Sequence, residues 1–101
     1  MPERMRDACG HPIAVPWSTI PAMLAENLVL HAQRTAIVDG DTRISYAELE
    51  RHMLAIATGL RARHLGRGDV VAIWAPNSWQ WVVSVAACWW NGCTVAPIPA
   101  R

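Results

Sequence analysis

The chain divides by the spacing of its apolar residues. Residues 1–17 contain Pro2, Gly10, Pro12 and Pro16 and no period, and read as a loose, flexible leader; residues 18–101 are patterned. Thr19 is placed to cap a helix with Pro21 in its first turn. Ile20, Leu24 and Leu28 give that helix one apolar stripe, ending near Gln33. Residues 35–39 and 42–45 are short β-rich runs flanking Gly40-Asp41, the signal of a tight hairpin, because glycine supplies the positive φ the turn needs. Ser45 and Glu48 form a capping box that opens a long helix. Tyr46, Leu49, Met53, Ile56 and Leu60 then fall within a sector of about 80°, which predicts one buried face. Gly66 and Gly68 are expected to stop this helix.

Residues 70–75 form a continuous apolar run, as in a strand covered on both faces. Ser78 caps a helix over 78–91, Gly92 suits a left-handed C-cap, and residues 93–98 read as a further strand. The connection between the last two strands is long enough for a parallel crossover. The fold class predicted is α/β: a β-hairpin followed by α-β-α-β with parallel strands, begun but not completed.

Helix 78–91 is the most informative segment. Its tryptophans at 79, 81, 89 and 90 point in several directions, near 0°, 200°, 280° and 20° at about 100° per residue. Gln80, Ser84 and Asn91 crowd between about 100° and 140°. Such a helix must be buried on more than one side, and so short a chain is expected to lack the second layer. Left open, the tryptophans would make an apolar patch that signals a partner, which raises possible self-association through the Trp-rich helix 78–91.

Composition agrees. The chain is 52% hydrophobic and 17% charged, against about 25% charged in typical soluble domains, so it has little solvating surface for a free-standing unit. Nine arginines against eight acidic residues give a net charge of +1 with no lysine, and the arginines are scattered, which argues against nucleic acid as a partner. The longest apolar stretch is far shorter than the ~18 residues of a membrane span. The odd set Cys9, Cys88 and Cys93, with no apolar leader run, suggests reduced thiols and a cytoplasmic setting.

Candidate chemistry is sparse. Gly66-Arg67-Gly68-Asp69 follows a helix and precedes a strand, the reverse of a dinucleotide-binding loop, and reads as a helix stop. Cys9-His11 and Cys88/Cys93 lack the spacing of a metal site. Glu48 and Glu50 point different ways on a helix, and Ser45 has no base at a useful spacing. No catalytic residue and no metal ligand emerges.

Four segments in order nevertheless carry a resemblance. Ile44-Ser45-Tyr46-Ala47-Glu48-Leu49 resembles the first core motif of the adenylate-forming (AMP-binding) superfamily. Residues 87–98, Ala-Cys-Trp-Trp-Asn-Gly-Cys-Thr-Val-Ala-Pro-Ile, are similar to the second. Gly66-Arg67-Gly68-Asp69-Val70-Val71-Ala72-Ile73 and Pro76-Asn77-Ser78 match phrases of the acyl-CoA synthetase branch, and the resemblance covers about residues 19–101. It departs at Trp89-Trp90-Asn91, where the family has a Lys- or Arg-containing run.

The resemblance implies the amino-terminal part of the large domain of a ligase that joins a carboxylic acid to ATP, with Mg²⁺, and passes the acyl group to CoA. It also implies a place in fatty acid metabolism and a partner in the remainder of the enzyme. The family's phosphate loop and catalytic lysine have no counterpart here, so the chain alone is expected to bind no cofactor and to supply scaffold. In the family the loop after the last strand approaches CoA, which here means Pro99, Ala100 and Arg101, with Arg101 suited to a phosphate. Two other readings stay open: a stand-alone interaction module using the Trp-rich helix, and a small flavodoxin-like nucleotide-binding protein.

Overall fold

The computed structural model describes residues 5, 6, 9, 12, 13 and 16–99. Most of the predicted leader therefore lies outside the described residues. Within it, β1 (Met5–Arg6) pairs antiparallel with β2 (Pro12–Ile13). Then follow α1 (Ile20–Leu30), β3 (Thr35–Asp39), β4 (Thr42–Ser45), α2 (Tyr46–Ala62), β5 (Val70–Trp74), α3 (Trp79–Trp90) and β6 (Thr94–Ile98).

Local chemistry accounts for each boundary. Thr19 Oγ1 accepts from Ala22 N at 3.2 Å and starts α1, which stops three residues earlier than predicted, with His31 as its C-cap. The β3–β4 hairpin pairs Asp39 with Thr42, and Gly40 takes φ +57°. Asp41 does not share the positive φ, so the loop is not of type I′, which needs it at both positions. Ser45 and Glu48 make both halves of the capping box, at 3.1 and 3.2 Å. The amide of Ser45, followed by its hydroxyl, holds the Glu48 carboxyl below its ordinary pKa.

The end of α2 corrects the sequence reading. Arg63 is the C-cap, and His64, not a glycine, takes the left-handed position at φ +61°. Leu65 N donates to Leu60 O and His64 N to Arg61 O, so a non-glycine closes a Schellman motif. Gly66–Asp69 is a separate turn beyond it, with Gly66 N on Asp69 Oδ2 at 2.8 Å. The buried stripe of α2 is also shifted: Leu49, Met53 and Ala57 are buried, whereas Ile56 is 37% exposed.

Helix α3 is the centre of the molecule. Its Ala86 and Ala87 pack with Leu24 and Leu28 of α1 and Met53 and Ala57 of α2. Val85 and Cys88 meet Ile73 and Cys93 on the sheet side, and Val83 closes a third cluster with Ile44 and Leu49. The expectation that nothing in so short a chain covers this helix is therefore wrong. The α1–α2 layer lies on one side and the parallel β5–β6 pair on another, leaving Val82 and Trp89 only partly exposed, at 39% and 38%.

The uncovered apolar surface lies elsewhere. Strand β5 alternates instead of being buried throughout: Ile73 faces α3, while Val70 and Trp74 are 64% and 76% exposed. Gly92 ends α3 at φ +82° as predicted, with Cys93 N on Cys88 O at 2.9 Å. Asn91 Nδ2 donates to Ala57 O of α2 at 2.8 Å, tying the two helices together, while its buried Oδ1 has no hydrogen-bond partner.

Two predictions follow from these caps. His64→Gly removes the left-handed strain and is expected to raise stability by about 0.5–1 kcal/mol in urea denaturation, the reverse of a helix-interior glycine. Because folding lowers the Glu48 pKa, its contribution is present above the unfolded carboxylate pKa and is lost as pH falls through the folded one. Glu48→Gln keeps an acceptor for the cap, so thermal melts below neutral pH should show a flatter pH dependence than the wild-type chain.

Candidate functional site

Ligands of open α/β sheets bind outside the carboxyl ends of the parallel strands. Here that region holds a cleft of about 350 Å³, lined by Ala75, Asn77, Trp81, Pro97, Ile98 and Pro99. Strands β5 and β6 deliver its two rims in register, Ile73 beside Pro97 and Trp74 beside Ile98. Pro76-Asn77 turns the chain out of β5, and Trp81, in the first turn of α3, closes the cleft from within.

The start of α3 is held by three elements. Ser78 Oγ accepts from Trp81 N at 3.2 Å and donates to Pro76 O at 3.1 Å. Asp39, at the end of β3, accepts from Trp79 N at 2.9 Å across 40 residues of sequence. A carboxylate thus occupies the place where a helix dipole attracts an anion. The His52 ring of α2 packs on Trp79, with ring centroids 5.1 Å apart, and braces the same turn.

These observations test the groups the family uses. The cleft lining has no cationic side chain and one polar side chain, Asn77, and the start of α3 is already capped by Asp39. Gly66 N and Asp69 N both bond within the Gly66–Asp69 turn, so that loop is no phosphate cradle. Neither the cleft nor that turn fits the polyphosphate of ATP, and among the described residues no group of three His, Cys, Asp or Glu side chains could hold a metal ion such as Mg²⁺.

The Cys88 thiol is raised in pKa by burial and then by Cys93; that of Cys93 is raised by burial and then by Asp69. Both shifts disfavour the thiolate, the nucleophilic form of cysteine. Of the three residues expected near CoA, Pro99 lines the cleft, while Ala100 and Arg101 lie outside the described residues. Sequence reasoning gave no role to Asn77 or Trp81; the Pro76-Asn77-Ser78 phrase was the available signal.

A parallel β-α-β unit with a cleft at its strand ends, preceded by a hairpin and a capped helix, defines the opening portion of an α/β ligand-binding domain. Residues 24–101 match the family described as AMP-binding enzyme, and the chain belongs to that family. A CoA ligase of Rhodococcus jostii (strain RHA1), named for a methyl-dioxo-octahydro-indenyl propanoyl substrate, is 32% identical over 84 residues, 83% of this chain and 16% of that protein. Pyochelin synthase PchD of Pseudomonas aeruginosa is 36% identical over 79 residues, covering 77% of this chain and 14% of its own length.

Among solved structures, the Klebsiella oxytoca NpsA N-terminal subdomain superposes with a TM-score of 0.76 at 26% identity, over 81% of this chain and 22% of that one. The o-succinylbenzoate CoA synthetase MenE of Bacillus subtilis gives 0.70 at 28% identity, over 75% of this chain and 16% of that one. The chain thus spans about a sixth of the length of the first curated relatives it matches. No helix among the described residues is long and apolar enough to cross a membrane.

The Asp39 cap is testable. Asp39→Ala leaves the amide at the start of α3 without its acceptor and should cost about 0.5–2 kcal/mol in denaturant unfolding, while Asp39→Asn should recover part of that loss.

Proposed function

We propose that the chain supplies the amino-terminal scaffold of an ATP-dependent acyl-CoA ligase and does not catalyse the reaction by itself. One observation carries this reading: the cleft at the ends of β5 and β6 has the position of a ligand site but no cation in its lining. Transition-state charge on transferring phosphoryl and acyl groups needs fixed positive partners. The cleft lining, with the Asp39 carboxylate at the start of α3 beside it, does not provide them. The remainder of the ligase is the partner that would, and ATP, Mg²⁺ and CoA are the ligands that the complete site would take.

In that setting Pro99, Ala100 and Arg101 form the edge of the CoA approach, with the Arg101 guanidinium on a phosphate. The family relationship supports a cytoplasmic enzyme of fatty acid or related carboxylic acid metabolism. The named substrates of the relatives differ, and the acid taken here belongs to residues beyond this scaffold.

The test has two arms. Purified 1–101 incubated with ATP, Mg²⁺ and a panel of carboxylic acids should give ATP–pyrophosphate exchange no higher than background; exchange above background overturns the scaffold reading. Replacing the matching segment of the Rhodococcus ligase by residues 24–101 of this chain should yield a soluble chimera that retains CoA ligation. An unfolded chimera overturns the proposed role in the larger domain.

A further inference from the structure

The carboxyl-terminal cap of α3 holds two thiols. Trp90 is the last helical residue, Asn91 is the C-cap, and Gly92 takes the left-handed position at φ +82°. Gly92 N donates to Trp89 O at 3.0 Å and Cys93 N to Cys88 O at 2.9 Å. These are the two bonds of a Schellman motif, and Cys88 and Cys93 are the residues joined by its outer bond. The side chains at those two positions commonly meet in an apolar contact. Here both are cysteine.

Sequence spacing alone hides this meeting. In a continuing helix Cys93 would stand about 7.5 Å further along the axis than Cys88, too far for a disulfide, which needs Cα atoms roughly 4.4–6.8 Å apart. The turn at Gly92 folds Cys93 back onto the last turn of the helix. Both side chains are buried there in one cluster with Ile73 and Val85. The sulfurs are also electrostatic neighbours, since Cys93 is, after burial, what raises the Cys88 pKa. Cys93 Sγ donates a weak hydrogen bond to Gly66 O at 3.5 Å. Neither cysteine lines the cleft.

We propose that Cys88 and Cys93 are a reversible redox pair, joined by a disulfide across the cap of α3 when the chain meets a low-molecular-weight disulfide as oxidant. Cys93 lies beyond the helix and is freed first when the cap opens. Its thiolate attacks one sulfur of oxidised glutathione and expels a glutathione thiolate. The Cys88 thiolate then attacks the Cys93 sulfur of the mixed disulfide and expels the second. The two protein thiols lose two electrons and two protons, and the glutathione disulfide becomes two thiols.

The bridge replaces the weak S–H bond to Gly66 O and leaves every backbone bond of the cap in place. It fastens the end of α3 to the residue that leads into β6. Burial raises both thiol pKa values, with Asp69 adding to that of Cys93, so exchange is slow and the pair is a structural lock, not a catalytic dithiol.

Thiol–disulfide equilibration tests the proposal. The Cys9→Ser chain, in which this pair is all the thiol present, is equilibrated with mixtures of oxidised and reduced glutathione, both folded and in urea. Acid quenching, alkylation and peptide mapping by mass spectrometry then count reduced, mixed and bridged forms, with circular dichroism confirming the folded state. The folded chain should form the Cys88–Cys93 bridge, with a closure equilibrium about tenfold more favourable than in urea, because the cap holds the thiols together. By linkage the bridged chain should unfold at higher urea than the reduced one.

The unaltered chain gives the same reading without a variant: its bridge should join Cys88 to Cys93 and leave Cys9 outside. Folded chains that stay reduced, that stop at the mixed disulfide, that bridge through Cys9, or that close no more favourably than in urea overturn the proposal.

Discussion

Every apolar cluster among the described residues closes on α3. One helix supplies Ala86 and Ala87 to the α1–α2 layer, Val85 and Cys88 to the parallel strands, and Val83 to the hairpin side. A helix apolar on nearly all sides is stable only where each side finds a cover. Here alanines let the helical layer approach closely, while branched residues and a cysteine fill the space against the sheet. Asp39 and Asn91 then pin the two ends of the helix, through Trp79 N and Ala57 O respectively. The remaining elements are arranged by what they bury on it.

That arrangement uses one face of the β5–β6 pair and leaves the other bare. Parallel strands are normally covered on both faces, whereas here Val70 and Trp74 stay 64% and 76% exposed on the face away from α3. The same geometry accounts for the cleft at the strand ends. Its walls are positioned by the β-α-β unit, and its lining is almost wholly apolar or backbone.

Much of the fold was legible because local signals were strong and agreed. The hairpin strands at 35–39 and 42–45, the Ser45–Glu48 box, the Ser78 cap and Gly92 appear as read. The failures share a cause in tertiary context. Ile56 fits the periodic stripe as well as Ala57 does, and only the position of α3 decides that the smaller residue is buried. His64 in a left-handed cap has no sequence signature, with glycines two and four residues on to draw attention away. Helix α3 is buried on several sides as read, but through Val83, Val85, Ala86, Ala87 and Cys88, with Trp89 left 38% exposed, and the distribution of its tryptophans could not reveal that this same chain supplies the cover.

The site was less legible than the fold. Asn77 and Trp81 line the cleft through a turn and a helix start whose roles are set by the parallel register, a long-range property. The dependence on α3 also has a consequence for how the chain is made. During synthesis the hairpin and α2 precede residue 79, so Ile44, Leu49 and Met53 lack the α3 side of their cover until that helix has left the ribosome, an interval in which they suit chaperones that bind short hydrophobic segments.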